Sequence, residues 1–312
     1  MSNGVFMAGL RYKRIGYVAL NVSNRERSTA FHHETIGLET NPLVDPIAFG
    51  ATLLRTGQSA CEVALYDGPE PGLRRVAFEM ESERYLEQAH EHLCGLGVRT
   101  WDVPASDRTA FGQRSAFRFA EPNTALTVEL YAGDDSGVPP ATGNRPITNI
   151  NRLGHVVICA VDPEPVTEFF VNEMNFRVSD YIGNVAFMRC FPNPFHHSFA
   201  ITPATENRLN HVNFLVDSLD DLGRAIYRHQ QQDIEIVFGP GRHPPSGSVF
   251  LYFLDPDGMT FEFSTGMEEF PEVAYREPRR LPRVRESFDY WGAVRSPRHG
   301  AVGRFINEEL AR

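Results

Sequence analysis

The chain repeats itself: its second half can be laid over its first with an offset of about 138 residues. Arg14-Ile15-Gly16-Tyr17-Val18 corresponds to Arg152-Leu153-Gly154-His155-Val156, and Ile36-Gly37-Leu38 to Met174-Asn175-Phe176. Leu73-Arg74-Arg75-Val76-Ala77-Phe78 parallels Leu209-Asn210-His211-Val212-Asn213-Phe214. The stretch from Glu121-Pro122-Asn123 to Val128-Glu129 answers that from Asp255-Pro256-Asp257 to Phe261-Glu262. Correspondences in the same order along both halves predict two copies of one structural unit. A length of 312 residues gives each copy a core of its own.

The expected division is an amino-terminal domain over 1–135, a linker over 136–150, a second domain over 151–275 and an extension over 276–312. The linker reading rests on Gly133 to Asn144, where Gly loosens the backbone and Pro139-Pro140 removes donors. The extension is rich in Arg and Pro before the aromatic cluster Phe288, Tyr290 and Trp291. It is expected to pack across a domain or a neighbouring subunit. Short runs of Val, Ile, Phe and Tyr predict strands. Helices are expected over 24–33, 163–172 and 220–230, the second opened by Asp162-Pro163-Glu164-Pro165. Each repeat therefore reads as two strand–helix–strand pieces with extra hairpin strands, an α+β chain.

A net charge of -10 argues against general nucleic-acid binding, which needs clustered Lys and Arg. No apolar run is long enough to span a membrane, and the first residues lack a secretion signal. Cys61, Cys94, Cys159 and Cys190 lie far apart without metal-site spacing, as expected of reduced thiols in a cytoplasmic protein.

The second half carries His155, His211 and Glu262, each on an expected strand. Alternation along a strand can turn all three inward, and two imidazoles with one carboxylate form the set that holds non-heme Fe(II) with positions left open. Singly, each would more often be a hydrogen-bonded core group or an ion-pair partner. Their repeat-related places argue for a shared centre. The first half has Tyr17, Arg75 and Glu129 instead. Arg75 can pair with Glu129 there, leaving a structural half without metal.

With these residues in hand, the chain resembles the vicinal-oxygen-chelate superfamily, and closely its two-domain type I extradiol ring-cleavage dioxygenases of catechols. The resemblance spans about residues 8 to 275. It implies two vicinal-oxygen-chelate domains, each of paired βαβββ modules forming a partly open barrel. It also implies Fe(II), with Mn(II) as the alternative, on His155, His211 and Glu262. A catalytic histidine falls some fourteen residues before the second ligand, where this chain has His196-His197. His197 is the preferred acid–base residue and His196 the rival, since neighbours on an extended strand point oppositely. His243 and Tyr252, nine apart, with Glu262 ten further on, complete the pattern. His243 is expected to orient substrate or product oxygen, and Tyr252 to donate to a substrate oxygen.

The implied reaction opens a substituted catechol beside its two hydroxyl-bearing carbons, inserting both atoms of O2. Ser246 stands where biphenyl-type members have aspartate, so the distal pocket is expected to differ. Phe187, Phe195 and His196 are candidate substrate contacts, with Val157, Met188, Phe191 and Phe199 as further pocket or core residues. Arg189 or Arg242 could meet a ring carboxylate. Partners are a catecholic small molecule and O2, with a homo-oligomer expected from the family. Two other readings stay open: another metal-dependent isomerase or thiol transferase, and a non-catalytic aromatic-binding protein.

Overall fold

The structure is a computed structural model, described here over residues 9–57, 59–133 and 147–308. The expected linker thus falls mostly outside the described residues. Each half contains the same strand order. In the second, Ile150–Ala160 leads through a helix to Phe176–Ile182, Val185–Cys190 and Phe199–Pro203. Arg208–Val216 then leads through a helix to Ile236–Arg242, Val249–Leu254 and Thr260–Thr265. The two modules join antiparallel through their first strands, with Val156 opposite Val212 and His155 opposite Asn213. Each first strand is flanked in parallel by the last strand of its own module: Phe199 against Val156, and Phe261 against Val212. The result is an open, curved sheet of paired βαβββ modules. The first half repeats it, with Tyr12–Val22 antiparallel to Gly72–Met80 and each parallel to its module's last strand.

The expected helices form with shifted ends. Arg25–Phe31 is capped by the Asn24 side chain, which accepts from the Arg27 amide, and Pro163–Glu168 begins on proline. Both then widen into a π-helical turn, His32–Ile36 and Phe169–Glu173, at matching places in the repeat. The third, Leu219–Gln231, is capped by Ser218 and lays Leu222 and Ala225 on the sheet. One apolar core runs through both halves: Tyr12 and Phe78 pack edge-on against Phe176, and the Tyr12 hydroxyl donates to the Met174 carbonyl.

The first half has an ion network at the repeat-equivalent position. Glu129 is fully buried and accepts from the Tyr17 hydroxyl (2.7 Å), Gln113 (2.6 Å) and Arg118 (2.6 Å). Arg75 donates to the Tyr17 oxygen and reaches Glu308 at 2.7 Å, while its Nε lies 3.5 Å from Glu129. The guanidinium groups supply the positive charge that a metal would bring. Arg75→Met should leave Glu129 with Arg118 and Glu308 with Arg74 as their remaining cations, and cost about 1–3 kcal/mol of unfolding free energy, readable in urea titrations of metal-free protein.

The extension crosses both halves. Arg279–Leu281 adds a parallel strand beside Asp180–Ile182. Arg304–Phe305 pairs with Gly72–Leu73 of the first half, and Arg304 also with Arg208 of the second. Among the described residues no helix is long and apolar enough to cross a membrane.

Candidate active site

His155, His211 and Glu262 stand on three adjacent strands and turn to the same concave face. Phe261 and Phe263, on either side of Glu262, point the other way into the core, so alternation separates the ligand face from the packing face. The three donor atoms converge. His155 Nε2 lies 2.9 Å from Glu262 Oε2, His211 Nε2 lies 3.3 Å from the same oxygen, and the two nitrogens are 3.1 Å apart. A first-row divalent ion bonded at about 2.1 Å with right-angled ligands needs donors about 3.0 Å apart, so the triad has the spacing of one octahedral face.

Two further observations fit a metal. Glu262 is completely buried, yet neither carboxylate oxygen accepts a well-aligned hydrogen bond. Such a group is costly unless a cation satisfies it. His211 Nδ1–H donates to Asn210 Oδ1 at 2.8 Å, which leaves the Nε2 lone pair facing the centre. Burial drives the His211 pKa down to about 4, and it holds His197 well below the usual imidazole range, helped by neighbouring His155. For Glu262 burial acts upward, but the imidazoles, His155 foremost, outweigh it and keep the carboxyl well below its ordinary value. His211 and Glu262 are thus held in the protonation states that can bind a metal. Asp180, His196 and Glu268 also come within ligating reach of one another. Arg276 and Arg279 occupy those carboxylates, so the cluster is an ion-pair network and needs no metal.

His197 lines the cavity above the triad, its ring 4.0 Å from that of His155 and edge-on to Phe187. His196 turns away, its Nε2 2.8 Å from Asp180 and its Nδ1 3.0 Å from His197 Nδ1. His196 as a substrate contact is therefore corrected: it backs His197 and does not face the cavity. Phe195 is corrected too, for it lies outside the cavity with Arg152 stacked on its ring. Phe187 and Val157 are on the wall, whereas Met188 and Phe199 are core. Arg189 is buried among Phe191, Phe270 and Tyr275, and Arg242 donates to the Gly247 carbonyl, so neither reaches the cavity.

Tyr252 is the register partner of Glu262 on the neighbouring strand, which places both on the concave face. His243 Nδ1–H donates to the Phe288 carbonyl at 2.7 Å, so its Nε2 accepts from the Tyr252 hydroxyl at 2.9 Å. Burial, reinforced by the Glu262 charge, raises the Tyr252 pKa well above the phenolic value and keeps the hydroxyl protonated. The extension supplies Phe288, Arg295 and His299 to the cavity; Phe288 is one of the aromatic cluster noted in the sequence, while Arg295 and His299 carry no sequence signal. The His299 ring packs edge-on against Tyr252, and its Nε2 is buried without a partner. Ile182, Val185, Val157 and Phe187 form the apolar wall opposite.

The family described as Glyoxalase/Bleomycin resistance protein/Dioxygenase superfamily matches residues 152–263. A manganese-dependent 2,3-dihydroxybiphenyl 1,2-dioxygenase of Geobacillus genomosp. 3 is 26% identical over 275 residues, covering 81% of this chain and 85% of that protein. An iron-dependent extradiol dioxygenase of Rhodococcus jostii is 22% identical, covering 90% of this chain and 96% of its own. Among solved structures, a Mn(II)-bound glyoxalase from Novosphingobium aromaticivorans aligns with TM-score 0.82 at 25% identity, covering 96% of this chain and 99% of that one. The homoprotocatechuate 2,3-dioxygenase of Arthrobacter globiformis aligns with TM-score 0.81 at 19% identity, covering 96% and 94%. Residues 152–263 thus match the glyoxalase and dioxygenase superfamily, and the chain as a whole shares the two-half fold of the solved homoprotocatechuate 2,3-dioxygenase.

Proposed function

We propose that this protein cleaves a substituted catechol beside its diol, using O2 and one Fe(II) or Mn(II) on His155, His211 and Glu262. The supporting observation is the octahedral-face spacing of those donors beneath a cavity that also holds His197 and the Tyr252–His243 pair. In this reading residues 151–275 carry the chemistry, and the buried ion network makes 1–135 a structural half. Bound metal supplies Lewis acidity toward two adjacent hydroxyls and an electron path between ring and O2.

The rest is done by the chain's own side chains. Val157, Ile182, Val185 and Phe187 take up the apolar face of the ring and exclude water from it. His197, uncharged at neutral pH, can accept a proton from the substrate side and return it as the ring opens. Tyr252 stays protonated, and its orientation is fixed by the bond to His243, so it can present its oxygen to one side of the diol. Four free cysteines suit a reducing cytoplasm. A homo-oligomer is part of the same proposal, with exposed Tyr290, Trp291 and Val294 as candidate contact residues.

The test is anaerobic loading with Fe(II) or Mn(II), followed by an oxygen-electrode screen across substituted catechols. Stoichiometric O2 uptake with a yellow ring-opened product is the expected result. Metal binding without oxygen consumption would instead support an isomerase, a reading kept because one solved structure of the same fold is named a glyoxalase.

A further inference from the structure

Asp180 is completely buried and saturated with donors. Its two oxygens accept from both nitrogens of the Arg276 fork, from Arg279 Nε and Nη2, and from the Arg279 amide. The remaining contact is His196 Nε2 at 2.8 Å. A carboxylate held by two arginines stays ionised and can only accept, so His196 must carry its proton on Nε2. His196 is itself wholly buried, and its other nitrogen, Nδ1, lies 3.0 Å from His197 Nδ1. Two lone pairs cannot face each other at that distance. Burial outweighs Asp180 and holds the His196 pKa below the usual imidazole range, so at neutral pH the ring is uncharged; the proton between the rings then belongs to His197 Nδ1, and His196 Nδ1 accepts it.

We infer that Asp180 and His196 are positioning residues that fix His197 in its Nδ1–H tautomer, so that the Nε2 lone pair is the one presented to the cavity. A histidine's reactive nitrogen is set by the bond its other nitrogen makes. The arrangement is that of a carboxylate orienting a catalytic imidazole, with a second imidazole inserted between the two. Backbone bonds on both sides hold the pair in place: the His196 amide donates to the Glu268 carbonyl and the Ser198 amide to that of Met188. Phe187, edge-on to His197, limits rotation of the ring. The locking arginines come from the carboxy-terminal extension, so the extension reaches the acid–base residue without touching it.

The inference about the tautomer is independent of the reaction, whereas its catalytic consequence rests on the proposed dioxygenase activity. The experiment separates them. In Zn(II)-loaded protein labelled with 15N-histidine, His197 is assigned by its absence in His197→Asn. Wild type should show a protonated, pyrrole-type Nδ1 and an unprotonated Nε2. His196→Gln keeps a donor toward Asp180 and an acceptor toward His197, because amide O and N flank one carbon as the two ring nitrogens do. It should preserve the wild-type pattern. His196→Phe fills the same space without either bond, and its His197 signals should move toward the opposite tautomer.

In Fe(II)-loaded enzyme, His196→Phe should lower kcat by about 100-fold with catechol KM and metal content close to wild type, and His196→Gln should recover most of the loss. A wild-type His197 protonated on Nε2, or a His196→Phe variant with unaltered His197 signals and kcat, overturns the inference. The predicted nitrogen pattern in a protein that cleaves no catechol leaves the inference standing and removes the dioxygenase reading.

Discussion

His155→Ala is expected to leave a folded protein that no longer retains one equivalent of Fe(II) or Mn(II) through dialysis. Removing one donor of three opens the octahedral face and leaves Glu262 as a buried carboxylate with His211 as its only converging partner donor, His243 lying 3.6 Å away on its other oxygen. Loss of a direct ligand should exceed the 10–100-fold or so typical of an outer partner. Asn210→Ala, which removes the acceptor from His211 Nδ1 and a weak bond to Cys159 Sγ but no donor of the triad, should fall within that smaller range. Metal titration followed by elemental analysis checks both. A thermal melt gives a second reading, because a ligand at about 100 times its Kd stabilises the folded state by about 2.7 kcal/mol. Wild type should melt higher with metal, and His155→Ala should melt at the same temperature with or without it. Equal metal retention by the variant would remove His155 from the centre.

His197→Phe is the second large effect. It keeps a ring against His155 and Phe187 but carries no proton. Turnover should fall by about 10²–10⁴-fold, the usual contribution of a placed acid–base group. Metal content and catechol affinity should hold, because His197 is not among the three converging donors. Single-turnover oxygen consumption in metal-loaded protein is the measurement. Near-normal ring opening by this variant would move the proton work elsewhere in the cavity, with His243 the next group to examine. The contrast between the two substitutions separates a residue that holds the ion from one that serves the chemistry beside it.

Much of this was legible because duplication makes a sequence its own control. His155 and His211 stand out against Tyr17 and Arg75 at matching places, while Glu262 and Glu129 keep the same acid in both halves. Strand alternation then correctly separated Glu262 from Phe261 and Phe263. The pairing of Arg75 with Glu129 was foreseeable as opposite charges on one buried face, but Tyr17, Gln113, Arg118 and Glu308 joining it was not. The turn before Phe199 defeated finer reading. Residues 191–198 form no regular strand, so Phe195 and His196 could not be assigned a face by counting. Arg295 and His299 escaped for another reason. They sit in an aperiodic stretch rich in Gly, Pro and Arg, and only long-range docking brings them to the cavity.

The extension has a consequence for how the protein comes into being. Translation delivers residues 276–308 after both halves have had the opportunity to collapse, and chains generally fold from the amino end as they emerge. A nascent or clipped chain lacking that segment would already own its three ligands, yet the Phe288 carbonyl behind His243 and the arginines behind Asp180 would be missing. A metal ion could therefore reach the three donors before His243 and the His196–Asp180 pair are fixed in place. Such a chain would offer an open cup at the three converging donors, and residues 276–308 are what turn that cup into a guarded one.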